Sequence, residues 1–116
     1  MQYDIQERTF AFGLEVVNLS NQMPETRASK ILCNQVLRSG TSIGANVEEA
    51  EAAYTKNEFA YKMNIALKEA RETHYWLRLI HKSNLAKDNV INVMIGESEE
   101  LKKILGSIVS KARRTK

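Results

Sequence analysis

One cysteine, one proline and five glycines are all that this chain of 116 residues holds of the types that most often cross-link or break a fold. A lone Cys33 has no partner for an internal disulfide, and it fits a reducing compartment, so a cytoplasmic location is expected. A lone Pro24 leaves one place where a proline must end a helix. With so little proline and glycine and 27% charged residues, the composition is that of a helical globular protein, not a disordered one. No apolar run approaches the roughly 20 residues of a membrane span, so no membrane association is expected. The stretch Met1-Gln-Tyr-Asp-Ile-Gln-Glu-Arg8 has no basic start followed by an apolar core, and no signal peptide is expected. Strand alternation, internal repeats and low-complexity tracts are also missing.

Acidic residues run out before the chain does. Residues 1–55 carry four Lys/Arg and seven Asp/Glu, a balance of −3, while residues 56–116 carry thirteen and seven, a balance of +6, which together give the net +3. Beyond Glu100 only cations remain: Lys102, Lys103, Lys111, Arg113, Arg114 and Lys116. They are candidate nucleic-acid contacts. Cations near a helix C-terminus also complement its dipole and aid solubility, and that explanation stays open beside the first.

Helical spacing is what the chain has in quantity. Ile5, Phe12, Val16 and Leu19 share one face of a helix over about 4–21, and Phe10, Leu14 and Val17 add apolar surface outside that face. A second helix, about 26–53, is capped by Thr26 or Ser29 and carries Ile31, Leu32, Val36, Ile43 and Val47. Its apolar phase survives Gly40 and Gly44, which predicts one continuous helix although each glycine costs about 1 kcal/mol relative to alanine. Thr55-Lys-Asn-Glu58 is a capping box that opens a third helix over about 56–83, with Phe59, Met63, Ala66, Ala70 and Leu77 facing the core and Ile65, Trp76 and Leu79 on a second face. After a turn around Asn84, a fourth helix runs over about 87–112 with Val90, Met94, Leu101, Ile104, Leu105 and Ile108 inward. Short connections between long helices predict antiparallel neighbours, hence one all-α domain built as an up-down-up-down four-helix bundle.

The stretch Arg38-Ser-Gly-Thr-Ser-Ile-Gly-Ala-Asn-Val-Glu-Glu-Ala50 has small residues where a long helix usually has strong helix formers. Gly40 and Gly44 predict a close helix contact. Arg38, Ser42, Asn46 and Glu49 recur at four, four and three residues as a polar stripe. On the other helices Glu69, Glu72 and Glu97 lie beside apolar stripes, where a charge is costly unless paired. Arg38, Arg71, His74 and Tyr75 are available partners. The expectation is one partly buried polar network that joins Arg38 and Glu49 and draws on the third helix through Glu72 or Arg71.

The same stretch, from Gln35 to Ala50, resembles the signature of the four helix bundle proteins, also called 23S rRNA-intervening sequence proteins. Ala66-Leu-Lys-Glu-Ala-Arg-Glu-Thr-His-Tyr-Trp-Leu77 is similar to that family's third helix, and Asp4-Ile-Gln-Glu-Arg-Thr-Phe10 and Pro24 also fit. Glu48 departs from the pattern, standing where the family usually has alanine, while Glu49 matches the family's acidic residue. The resemblance implies a subunit that assembles into a homopentamer and has no established enzymatic activity. A similar accessory protein of diversity-generating retroelements forms a pentamer that binds nucleic acid and a reverse transcriptase. RNA or DNA, or a protein partner such as a polymerase, therefore enters by analogy.

Enzymatic chemistry finds little to build on. Gly40 and Gly44 follow no strand, and no glycine-rich phosphate-binding motif is present. His74 lies two residues after Glu72 and five after Glu69, and no acid stands three before His81, so the Glu-x-x-His spacing of a carboxylate-bridged metal pair does not occur. Ser39, Thr41 and Ser42 belong to no Ser-x-x-Lys or nucleophile-elbow motif. Cys33 is a small apolar thiol unless a base lowers its pKa. No catalytic residue, cofactor or metal is expected, and the chain is expected not to be an enzyme.

Overall fold

The structure, a computed structural model, describes residues 2–114, with side chains described from Ile5 onward. Among them are four helices and no strand: α1 (Gln2–Gln22), α2 (Arg27–Glu51), α3 (Lys56–Lys82) and α4 (Asp88–Arg114). Each helix end lies within two residues of the boundary that spacing and capping set. The molecule is a rod of 47 × 19 × 19 Å. Its length matches the roughly 40 Å of a 27-residue helix plus a turn at each end.

Local chemistry places the ends. The Thr26 side chain accepts a hydrogen bond from the Ser29 backbone N–H and caps α2. Thr55 does the same for α3 through Glu58 N–H, and a Glu58 carboxylate oxygen accepts from Tyr54 N–H, one residue outside the cap. At the far end of α3, Asn84 takes φ of 58°, in the left-handed region that asparagine tolerates better than most side chains. Asn84 N–H then reaches the His81 carbonyl and Leu85 N–H the Ile80 carbonyl, which satisfies two of the orphaned helix-end acceptors. Leu85, directed back by this turn, packs against the core.

Consecutive helices pack on one another, α1 on α2, α2 on α3 and α3 on α4, while α1 and α4 touch least. Contacts between neighbours run in opposite residue order. Thr9 meets Gly44 and Val16 meets Gly40. Arg38 meets Glu72 and Glu49 meets Lys62. His74 meets Glu99 and His81 meets Asp88.

The core is drawn from all four helices. Ile5, Phe12, Val16 and Leu19 of α1 meet Val36, Ile43 and Val47 of α2, Met63, Leu77 and Ile80 of α3, and Ile91, Leu101 and Leu105 of α4, each at most 2% exposed. Full burial of such side chains contributes about 1.5–3 kcal/mol apiece. α2 runs unbroken through Gly40 and Gly44. A Cβ on Gly40 would stand 2.7 Å from Val16 Cγ2, and one on Gly44 would stand 3.3 Å from the Thr9 carbonyl carbon and oxygen. The glycines therefore set how near α1 comes.

Several apolar positions read from spacing lie less deep than expected. Ile31 is 57% exposed. On α4 the buried positions are Ile91, Met94, Ser98, Leu101, Leu105 and Val109, whereas Val90, Ile104 and Ile108 are half-buried. On α3, Leu67, Thr73 and Ile80 are buried and Phe59 is half-buried.

Candidate functional site

The polar residues singled out in α2 and α3 do not form one network. Arg38, on the outer side of α2, lies between two acids of α3: its guanidinium pairs with Glu72 and stands 3.5 Å from Glu69 Oε1. The second distance is a charge contact beyond hydrogen-bond range, so that buried Glu69 oxygen has no hydrogen-bond partner. Burial, and then the neighbouring Glu72, push the Glu69 carboxyl above its usual range, against the pull of Arg38. Arg38 also donates to Gln35 Oε1 at 3.1 Å, and Trp76 Nε1–H donates to Glu72 at 3.0 Å. The group is half open to solvent, with 51% of the Arg38 side chain and 36% of Glu72 exposed.

Glu49 belongs elsewhere. It pairs with Lys62 at 2.7 Å, about three turns along α2 from Arg38. The expected joining of Arg38 and Glu49 is thus corrected to two separate cross-helix pairs, because eleven residues along a helix span about 16 Å and no side chain bridges that distance. Ser42 and Asn46 make a third, local group, in which Asn46 Nδ2 donates to the Ser42 carbonyl and hydroxyl. Arg71 joins none of these; it is exposed on the outward side of α3.

Glu97 ties α4 to α1. Arg8 Nε and Nη2 donate to its two oxygens at 3.0 and 2.7 Å, a bidentate pair across the sparsest helix contact. Below it an open groove of about 270 Å³ runs between α1 and α4, with Glu15, Asn18 and Gln22 on one side and Asn89, Val90 and Val93 on the other. Partial burial, and then Glu97, raise the Glu15 pKa. Arg8 and Lys62 were not singled out in the sequence as partners of Glu97 and Glu49. Nothing local marks them, because the pairings depend on how neighbouring helices are offset.

Behind the Arg38 group, the hydroxyl residues Ser39 and Thr73 are fully buried. Thr73 Oγ1, fully buried, is 2.8 Å from Ser39 Oγ and 2.7 Å from the Glu69 carbonyl oxygen. They pin α2 to α3 behind the Arg38 group. Neither Ser39 nor any other hydroxyl of this region is aligned with a base as a nucleophile would be.

Between α3 and α4, His74 Nε2 lies 3.3 Å from Glu99, whose same oxygen accepts from Lys102 at 3.0 Å. Burial, followed by Lys102, lowers the His74 pKa. Among the C-terminal cations, Lys102 is therefore half-buried and tied down, Lys103, Lys111 and Arg113 are exposed, and Arg114 donates to Ser110 Oγ at 3.2 Å. Lys116 lies outside the described residues. Among the described residues no helix is long and apolar enough to cross a membrane.

No curated protein matches this chain. It is similar to a protein of unknown function from the S23 ribosomal protein family of Bacteroides thetaiotaomicron, seen in a crystal structure at 1.70 Å. The two are 38% identical, the match covers 90% of this chain and 97% of that one, and the TM-score is 0.84. The family model of the 23S rRNA-intervening sequence protein matches residues 1–107. With that span, nearly the whole set of four helices, the chain belongs to the 23S rRNA-intervening sequence protein family.

Proposed function

We propose that this chain is a non-enzymatic assembly module of the cytoplasm, an antiparallel up-down-up-down four-helix bundle that closes into a homopentamer. The opposed residue order of the contacts between neighbouring helices supports the antiparallel arrangement. One observation carries the assembly: Phe10, Leu14 and Val17, spaced i, i+4, i+7 on α1 opposite its core face, are 62%, 52% and 37% exposed. A row of large apolar side chains turned to solvent on a small subunit marks a surface meant to be covered. The number five rests on the family resemblance. The half-open cation–acid pairs support the non-enzymatic reading, since each of Glu49, Glu72 and Glu97 is held by a cation from another helix.

Light scattering at micromolar concentration tests this. A species of five times 13.2 kDa is expected, and Phe10→Lys with Leu14→Lys should release subunits of unchanged helix content. A parent that is already a 13.2 kDa monomer overturns the proposal.

A second reading, nucleic-acid binding, has its own observation. The last turns of α4 expose Lys103, Lys111 and Arg113, and no acid follows Glu100. A ring would repeat that patch in every subunit and add avidity to weak phosphate contacts.

A further inference from the structure

We infer that the outward face of α3 is a binding surface for single-stranded nucleic acid, with phosphates held by Lys68, Arg71, Arg78 and Lys82 and bases stacked on Tyr61 and Tyr75. The inference rests on the nucleic-acid reading above and moves its main contact from the end of α4 to the middle of the molecule.

The face is defined by the fold. α3 buries Met63, Ala66, Ala70, Thr73 and Leu77. Its α2 side carries Lys62, Glu69, Glu72 and Trp76, all engaged with α2 or with one another. Its α4 side carries His74 and His81. What remains outward recurs in steps of three and four: Tyr61, Asn64, Lys68, Arg71, Tyr75, Arg78 and Lys82. That stripe has four cations and no acid. None of the four makes an ion pair among the described residues, whereas Arg38, Lys62 and Lys102 on neighbouring faces are each tied to a carboxylate. Lysines and arginines left without acids over about 21 Å of one helix face make a track for a polyanion.

The rings decide which polyanion. Tyr61 is 64% and Tyr75 47% exposed, so both offer a face to solvent. Tyr75 is fixed in place: Trp76 meets it edge-on with centroids 5.1 Å apart, and the Arg78 guanidinium lies 5.9 Å from its centroid. An aromatic ring held among cations stacks on an unpaired base, a surface that duplex DNA or RNA keeps within its own stack. Burial first and then Lys102 lower the pKa of His74 beside this face, and Arg78 adds to them against the opposite pull of Glu99.

The test is fluorescence anisotropy with labelled oligo(U) and oligo(dT) of about 16 nucleotides, the upper site size of one single-strand-binding fold. A duplex of the same length is the control. Titrations are run at about 50 and 200 mM salt. The parent should bind single strands more tightly than duplex, with affinity falling as salt rises. Changing Lys68, Arg71, Arg78 and Lys82 to Gln should flatten the salt dependence by about 0.7 log units per log salt for each cation removed. Tyr75→Leu, and separately Tyr61→Leu, should weaken binding roughly five- to a hundredfold and leave the salt slope unchanged. Oligo(U) binding much tighter than oligo(dT) names RNA as the ligand; equal binding means the sugar is not read, and both support the surface. All six side chains are solvent-facing, so circular dichroism melts of the variants should overlay the parent. If the α3 variants bind as the parent does while Lys111→Gln with Arg113→Gln and Arg114→Gln loses binding, the inference falls and the α4 reading stands. If the parent binds no strand at the lower salt, both fall. If polyglutamate displaces the oligonucleotide equally well and the tyrosine variants are silent, the face is a dock for acidic protein and the inference falls.

Discussion

His74 sits on α3 with 15% of its side chain exposed, facing Glu99 and Lys102 of α4 and Arg78 of its own helix. Burial comes first in holding its pKa below the ordinary 6.5, and Lys102 adds to this against the opposite pull of Glu99. The sign follows from where the proton goes. Above pH 6.5 the ring is neutral folded or unfolded and its contribution is complete. As pH falls below 6.5 the unfolded ring takes a proton that the folded ring refuses, so stability drains away until the lowered folded pKa is passed. Glu15 and Glu69, whose pKa values are raised from 4.5, act with the opposite sign: their contribution is present below 4.5 and lost as pH rises through the folded value. Their effect is common to parent and variant. His74→Gln should therefore melt with a shallower loss between pH 6.5 and 5 than the parent, and thermal melts across that range that run parallel would refute the assignment.

At the scale of elements, α1 approaches α2 closely where Val16 faces Gly40, and these two residues set how near the helices come. Gly40→Ala would gain about 1 kcal/mol of helix propensity but place a methyl inside the radius of the fully buried Val16. Val16 is branched at Cβ and cannot swing away. Overpacking of this kind costs about 1–3 kcal/mol, so Gly40→Ala should lower stability in urea unfolding. Adding Val16→Ala should recover part of the loss, giving a double variant more stable than the sum of the single changes. Additive effects would mean that the two residues do not press on each other. This contact was legible in the sequence, since two glycines in an otherwise unbroken apolar phase leave little other purpose for a small residue. The capping box at Thr55 was legible for the same kind of reason, because all its partners lie within four residues. α4 was harder to read. Its apolar residues come in adjacent pairs, Val90 with Ile91, Ile104 with Leu105 and Ile108 with Val109, and periodicity cannot choose between members of a pair. The buried members of the pairs are Ile91, Leu105 and Val109, and they share their face with the small, fully buried Ser98. The cross-helix partners Arg8 and Lys62 were illegible, because an offset between helices is a property of the assembled core. The open stripe on α3 was hidden for a related reason: its lysines and arginines look ordinary until the acids nearby are seen to be spoken for.

At the scale of the whole molecule, the sequential packing of neighbours and the thin seam between α1 and α4 bear on how fast the chain moves between its states. Nearly every contact joins a helix to the next one along the chain, so loop closure is short at each step and folding should be quick for a chain of this length. The exception is the α1–α4 seam, which brings together residues 89 apart at Arg8 and Glu97. A contact with so long a closure forms after the others, when the rest of the core already holds both helices. Its loss should then be felt on the way out of the native state. In stopped-flow chevrons, Arg8→Met is expected to raise the unfolding rate and leave the refolding rate within error of the parent, the mark of an interaction absent from the transition state. A slower refolding limb would place the seam in the folding nucleus. If the closing step is late, the seam is also where the native rod first parts, and the hold of the two end helices on each other becomes a matter of lifetime, not of equilibrium alone.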